Sequence, residues 1–210
     1  MKKSSKLAGV TALLLLTACA TVITAPDLAH NAAQDLMDFK ASFNEKGIAK
    51  VDRLNQSELQ NNCSDYAQKE MPAELRAQLE KTELDAVKFP ADGQFLGNWK
   101  EGEKIAQNGR GLQFSDDAKT VNGGNCYACH QISKAEIAFG NIGPSLSEYG
   151  KLRGGPSEDL MKYTWTKLFS SHAYNACSVM PRYGAAQILS EQQMKDVMAL
   201  LLDPKSPINQ

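Results

Sequence analysis

The chain has almost no charge imbalance: 23 Lys and Arg stand against 24 Asp and Glu over 210 residues, a formal net charge of -1. Proteins that grip nucleic acid concentrate positive charge, so composition argues against a nucleic-acid partner. Long apolar runs are missing too. The stretch from Leu7 to Leu16 is about half the ~20 residues needed to cross a bilayer. There is no internal repeat, no low-complexity tract and no sustained alternation of apolar and polar residues, which leaves helices rather than strands to build the core. With 42% hydrophobic residues, one globular domain plus an appendage is expected.

The short apolar run follows Lys2, Lys3 and Lys6, and small residues close it. Basic front, apolar middle and small end describe an export signal, taken here as residues 1–25. The segment ends in Leu16-Thr17-Ala18-Cys19, which resembles a bacterial lipobox and makes Cys19 the candidate lipidated first residue of the mature chain. Cleavage after Ala20, with Ala18 and Ala20 as the small residues, is the competing reading. Either route carries the protein across the cytoplasmic membrane to the periplasm, where disulfides persist.

The 5 cysteines then sort themselves. Cys19 is lipidated or removed, Cys126 and Cys129 share a motif, and Cys63 and Cys177 remain as a candidate disulfide. The motif is Cys126-Tyr127-Ala128-Cys129-His130. C-x-x-C-H is the attachment sequence of a c-type haem: both thiols add to the vinyl groups, and the histidine is held beneath the iron. Zinc would need a second ligand pair at short spacing, yet His30, His172, Cys63 and Cys177 each stand alone. A redox dithiol of the thioredoxin kind expects strand-helix-strand surroundings that a helical chain lacks. One covalent haem c, with His130 as its proximal ligand, is the expectation.

Helical signals run along the mature chain. Residues 26–92 form a polar, helix-favouring extension, in which Pro72 is expected at a first helical position; Pro90, Gly93 and Gly97 mark the start of the main domain, 93–210. Residues 99–109 read as a short helix, Ser157 as the N-cap of the next long one, and Ser190 with Gln193 as a capping box opening the last. In that last helix Met194, Val197, Met198 and Leu201 make one apolar stripe. The fold class is all-α with long loops, and such loops need something to pack against. The distal iron ligand should come from a C-terminal loop. Met180, followed by Pro181 and so kept out of a helix interior, is preferred over His172, with Cys177 and Met161 behind them.

The order of a helix containing Gly102, C-x-x-C-H, "IGPSL", a Met-Pro loop and a terminal helix is similar to class I cytochromes c. That resemblance implies the class I fold, with Gly102 allowing the last helix to cross near Val197. It also implies that the Pro144 carbonyl accepts the Nδ1 proton of His130. The stretches "FLGNWKEGEKIAQNGRG", "GGNCYACHQIS", "GNIGPSLSEYGKLRG" and "NACSVMPRYGA" further resemble the SoxX family, the small cytochrome subunit of thiosulfate-oxidising SoxAX complexes. The family likeness implies Met180 as distal ligand and a SoxA-like cytochrome as heterodimer partner. It also implies a SoxYZ-type carrier protein, whose cysteine receives thiosulfate, and a small soluble cytochrome c as electron acceptor. By this likeness the chain is the electron-transfer subunit of an L-cysteine S-thiosulfotransferase and is not catalytic alone. The alternative is a freestanding periplasmic electron carrier serving another oxidoreductase.

Overall fold

The computed structural model describes residues 25–210. The export signal up to Thr24, with Cys19, lies outside the described residues. Seven α-helices occur among these residues, and their only β-pairing is an isolated bridge between Lys46 and Ala49. None of these helices is long and apolar enough to cross a membrane. The chain divides into two compact units with the break between Phe43 and Asn44. The first contains α1 (Ala25–Ala41). The expected extension, 26–92, spans that break, and residues 44–92 group with everything that follows.

Caps explain most helix starts in the second unit. At α2 (Glu58–Asp65) the Ser57 hydroxyl accepts the Gln60 N–H and the Gln60 side chain accepts the Ser57 N–H, a reciprocal capping box. The same device opens α7 (Glu191–Leu202) through Ser190 and Gln193. Ser157 caps α6 (Glu158–Phe169), and Asn98 caps α4 (Trp99–Gln107). In α3 (Ala73–Asp85) Pro72 is the cap itself, one position earlier than expected. One turn of helix, α5 (Tyr149–Leu152), precedes α6.

The main core is built round α7, which is buried on every side from Met194 to Leu202 because α4, α5 and α6 all pack on it. A single apolar stripe is therefore too narrow a description. Lys195 and Asp196, charged residues outside that stripe, are only 8% and 7% exposed. Each has partners. Lys195 Nζ pairs with Asp92 at 2.9 Å and Glu191 at 3.0 Å, and Asp196 Oδ1 accepts the backbone N–H of Asn98 at 2.8 Å. The crossing of α4 and α7 depends on Gly102, where an added Cβ would lie 2.0 Å from the Asp196 carbonyl oxygen. The backbone of α7 at Asp196, next to Val197, and the Leu200 side chain lie nearest to Gly102. No side chain fits there, so backbone meets backbone.

A second, smaller apolar cluster joins α2 and α3 to the loop after α6. Leu59, Met71, Leu79 and Ala176 are buried in it, with Cys63, Tyr66 and Leu75 against them. Cys63 and Cys177 are joined there by a disulfide, with Cα atoms 5.5 Å apart.

Candidate haem site

The segment before the motif doubles back on the end of α4. Gly124 N–H donates to the Ile105 carbonyl at 2.8 Å and Asn125 N–H to the Asn108 carbonyl at 3.0 Å. Asn125 takes a left-handed conformation, φ 48°, a region asparagine tolerates better than most residues. The chain then makes one tight turn, Cys126–Ala128, in which the Cys126 carbonyl accepts N–H groups from both Cys129 and His130. Both thiols are free of any disulfide, and both line the same cavity as the His130 ring.

Residues 140–146 fold over the motif. Gly143 N–H donates to the Cys129 carbonyl at 2.8 Å, Leu146 N–H to the Gln131 carbonyl at 2.7 Å, and His130 Nδ1 lies 2.6 Å from the Pro144 carbonyl oxygen. A carbonyl only accepts, so Nδ1 carries the proton and Nε2 keeps its lone pair for a metal. Gly143 sits so close to the imidazole that a Cβ there would come within 2.2 Å of Cε1. Backbone thereby bears on the ring from two sides.

The cavity has a volume of about 590 Å³, within the ~300–1,000 Å³ usual for cofactor sites. Its walls are mostly apolar, with Leu146, Leu168, Val197, Leu200 and Leu201 among them. Among its described lining residues there is no Asp or Glu, but there are two cations, Arg153 and Lys167. Arg153 lies over the Tyr149 ring at 4.0 Å, and burial lowers the Lys167 pKa. Two thiols, a histidine with a free Nε2, apolar walls and two cations for two carboxylates together fit a haem, its vinyl groups, its iron and its propionates. They do not fit the rivals. Burial pushes the Cys126 thiol up to about 11, whereas a redox dithiol needs a lowered pKa. No cluster of three or more His, Cys, Asp or Glu suited to a metal ion exists among the described residues.

Met180 lines this cavity, and its backbone is pinned on both sides. The Ser171 hydroxyl donates to the Met180 carbonyl at 2.7 Å, and Met180 N–H donates to Ser178 Oγ at 3.2 Å. Tyr183, three residues on, donates its hydroxyl to the Gly124 carbonyl at 2.5 Å, tying the Met180 loop to the motif loop. Burial raises the Tyr183 pKa, so it stays a neutral donor. His172 does not line the cavity. It is 7% exposed, and its Nε2 faces the Ser178 carbonyl at 2.9 Å, so that nitrogen carries the proton and Nδ1 has no partner. Burial lowers its pKa and keeps it neutral. Met161 packs against the core from α6, and Met194 and Met198 are inside it. Cys177 borders the cavity but is committed to its disulfide. Ser171 and Lys167 carry no local sequence signal, and although Tyr183 and Arg153 fall within the family-like stretches, their roles come from a partner distant in the chain or from the cavity itself.

Residues 100–204 match the model of the cytochrome c family. A protein of Aquifex aeolicus (strain VF5), described as an uncharacterized lipoprotein, is 34% identical over 177 residues, which cover 81% of this chain and 78% of that one.

Proposed function

The chain belongs to the cytochrome c family, and from that premise we propose that it is the electron-accepting subunit of a thiosulfate-oxidising complex of the SoxAX type. Covalently bound haem c supplies a one-electron iron couple. The protein's residues hold and tune it. Cys126 and Cys129 tether it, Pro144 and Gly143 fix His130, and Met180 is the proposed second ligand, a soft thioether that favours ferrous iron. Arg153 and Lys167, the cations among the cavity's lining residues, would face the propionates, and the apolar walls would exclude water.

The observation behind the sulfur-oxidising reading is the run of SoxX-like sequence on both sides of the haem. "GGNCYACHQIS" and "GNIGPSLSEYGKLRG" form the proximal wall, and "NACSVMPRYGA" brings Met180. In the proposed reaction thiosulfate's terminal sulfur bonds to a carrier-protein cysteine. The thiol proton is released and two electrons leave one at a time. None of the four described cysteines is left to take part: Cys126 and Cys129 are the haem's tethers, and Cys63 and Cys177 are bridged. The resemblance places the bond-forming site on a SoxA-like partner. Ile142 and Val179, exposed at the cavity rim, offer that partner an apolar landing beside the haem. A small soluble cytochrome c is the proposed acceptor beyond. A freestanding electron carrier is the second reading, favoured by a family match that extends to cytochrome c in general.

Mixing experiments separate the two. The chain alone should stay oxidised with thiosulfate. With a SoxA-like cytochrome it should form a stable heterodimer, and its haem should become reduced only when thiosulfate and a SoxYZ-type carrier are both added. A chain that stays monomeric and oxidised in that full mixture belongs to the second reading.

The proposed location is a membrane face outside the cytoplasm. Two features support it: Leu16-Thr17-Ala18-Cys19 after the apolar run, and a relative described as a lipoprotein. Acyl chains on Cys19 would each add ~0.8 kcal/mol of membrane affinity per buried methylene. The intact mass of the mature protein should equal a chain starting at Cys19 plus its lipid. An unmodified chain starting after Ala20 would refute the anchor.

A further inference from the structure

We propose that Glu83 is a positioning residue for the distal haem ligand, acting from outside the haem cavity by clasping both ends of the loop that carries Met180. This rests on the reading of Met180 as that ligand.

The loop runs from the end of α6 at Phe169 to Tyr183, with Met180 near its far end. Most of it has no regular ladder to hold it, apart from short turns at Ser171–Ala173 and Asn175–Ser178. Its stiffness must come from side-chain pins. The inner pins belong to the loop: Ser171 on the Met180 carbonyl, and His172 on the Ser178 carbonyl. The outer pins come from α2 and α3. Glu83 Oε2 accepts the hydroxyl of fully buried Ser170 at 2.6 Å, while its other oxygen, Oε1, pairs with Arg182 at 3.5 Å. Glu80, one turn earlier on the same face, accepts the Ala176 N–H at 3.2 Å. Cys63 holds Cys177 covalently.

One carboxylate therefore bridges two residues that stand ten and two positions from Met180 on opposite sides. Because Glu83 spans the base of the loop, it fixes the distance the loop must cover, and so the reach of the Met180 sulfur. A hydrogen bond to a charged group in half-buried surroundings is among the stronger pins available. Thioether ligation is comparatively weak, so a small strain or slackening of the loop is read directly in how readily the sulfur leaves. The helices ahead of the haem domain thus act on ligation without lining the haem cavity themselves.

The test compares Glu83→Ala, Glu83→Gln and Ile208→Ala in the haem-loaded protein. Ile208 is buried in the main core, in the C-terminal turn, and takes no part in the α3 pins, so its variant reports general destabilisation. The readouts are carbon monoxide affinity of the ferrous protein, which requires the distal ligand to leave, and the pH at which the far-red band of the ferric protein disappears. In Glu83→Ala the affinity should rise ~tenfold or more and the band should be lost at lower pH. Glu83→Gln, which keeps an acceptor for Ser170 but loses the charge facing Arg182, should fall between. Ile208→Ala should match the wild type in both. If Glu83→Ala behaves like Ile208→Ala while the wild-type band still depends on Met180, the clasp is wrong and the ligand assignment stands. If the wild-type band is absent or independent of Met180, the ligand assignment fails first and the clasp with it.

Discussion

Replacing Met180 by alanine will abolish the weak far-red charge-transfer band of the oxidised protein and lower its midpoint potential. Thioether ligation stabilises the ferrous state relative to harder ligands or water, so its loss favours the ferric state. The expected fall exceeds ~59 mV, the shift for a tenfold change in a one-electron equilibrium. Covalent attachment should be untouched, because Cys126, Cys129 and His130 are built by a separate turn and held by backbone hydrogen bonds that do not involve Met180. His172→Ala is the matching control. Its Nε2 is committed to the Ser178 carbonyl and it does not border the cavity, so this variant should keep the band. Because His172 is one of the loop's inner pins and its ring is buried, the variant should lose that hydrogen bond and its packing, so the band should persist at neutral pH but disappear at a lower pH than in the wild type. Spectra of the two variants decide the matter: a band that survives Met180→Ala and vanishes in His172→Ala would make histidine the second ligand.

What the sequence discloses about this site is what lies close together in the chain. The thiols and His130 occupy five consecutive positions, and Met180 precedes a proline, so local chemistry alone nominates them. Ser190 and Gln193 announce α7 in the same way. The Ser57–Gln60 box at α2 is just as local, yet the helix it opens reads ELQNNCSD, too short and polar to show an apolar stripe. Lys195 and Asp196 mislead in the opposite sense. They are charged and lie outside the apolar stripe, and only the crossing at Gly102 with the salt bridges around Asp92 shows why they are buried. The clasp on the distal loop is the least legible feature of all. Glu80 and Glu83 look like ordinary exposed helix acids, and their partners lie 96 and 87 positions away. Parity of cysteines leaves Cys63 and Cys177 over, but says nothing of where in space they stand.

Removing that bridge, in Cys63→Ser with Cys177→Ser, should lower global stability by about 2–4 kcal/mol. The two residues are 114 positions apart, so the closed loop is long, and loop-closure entropy alone would place the loss near the upper end. The local effect should be larger relative to its share. Cys177 stands three residues before Met180, and without the bridge α2 keeps only the apolar contacts around Leu59 and Ala176 to hold it. In a denaturant titration of the ferric wild type, the far-red band and the far-UV helical signal should disappear together, as one cooperative unit. In the double variant the band should go first, at lower denaturant, because the loop can open while α4, α6 and α7 remain packed. A mild thiol reductant should reproduce the effect in the wild type, since Cys177 is exposed. Coincident transitions in the double variant, with less than ~1 kcal/mol lost, would mean that the bridge neither stabilises the fold nor restrains Met180.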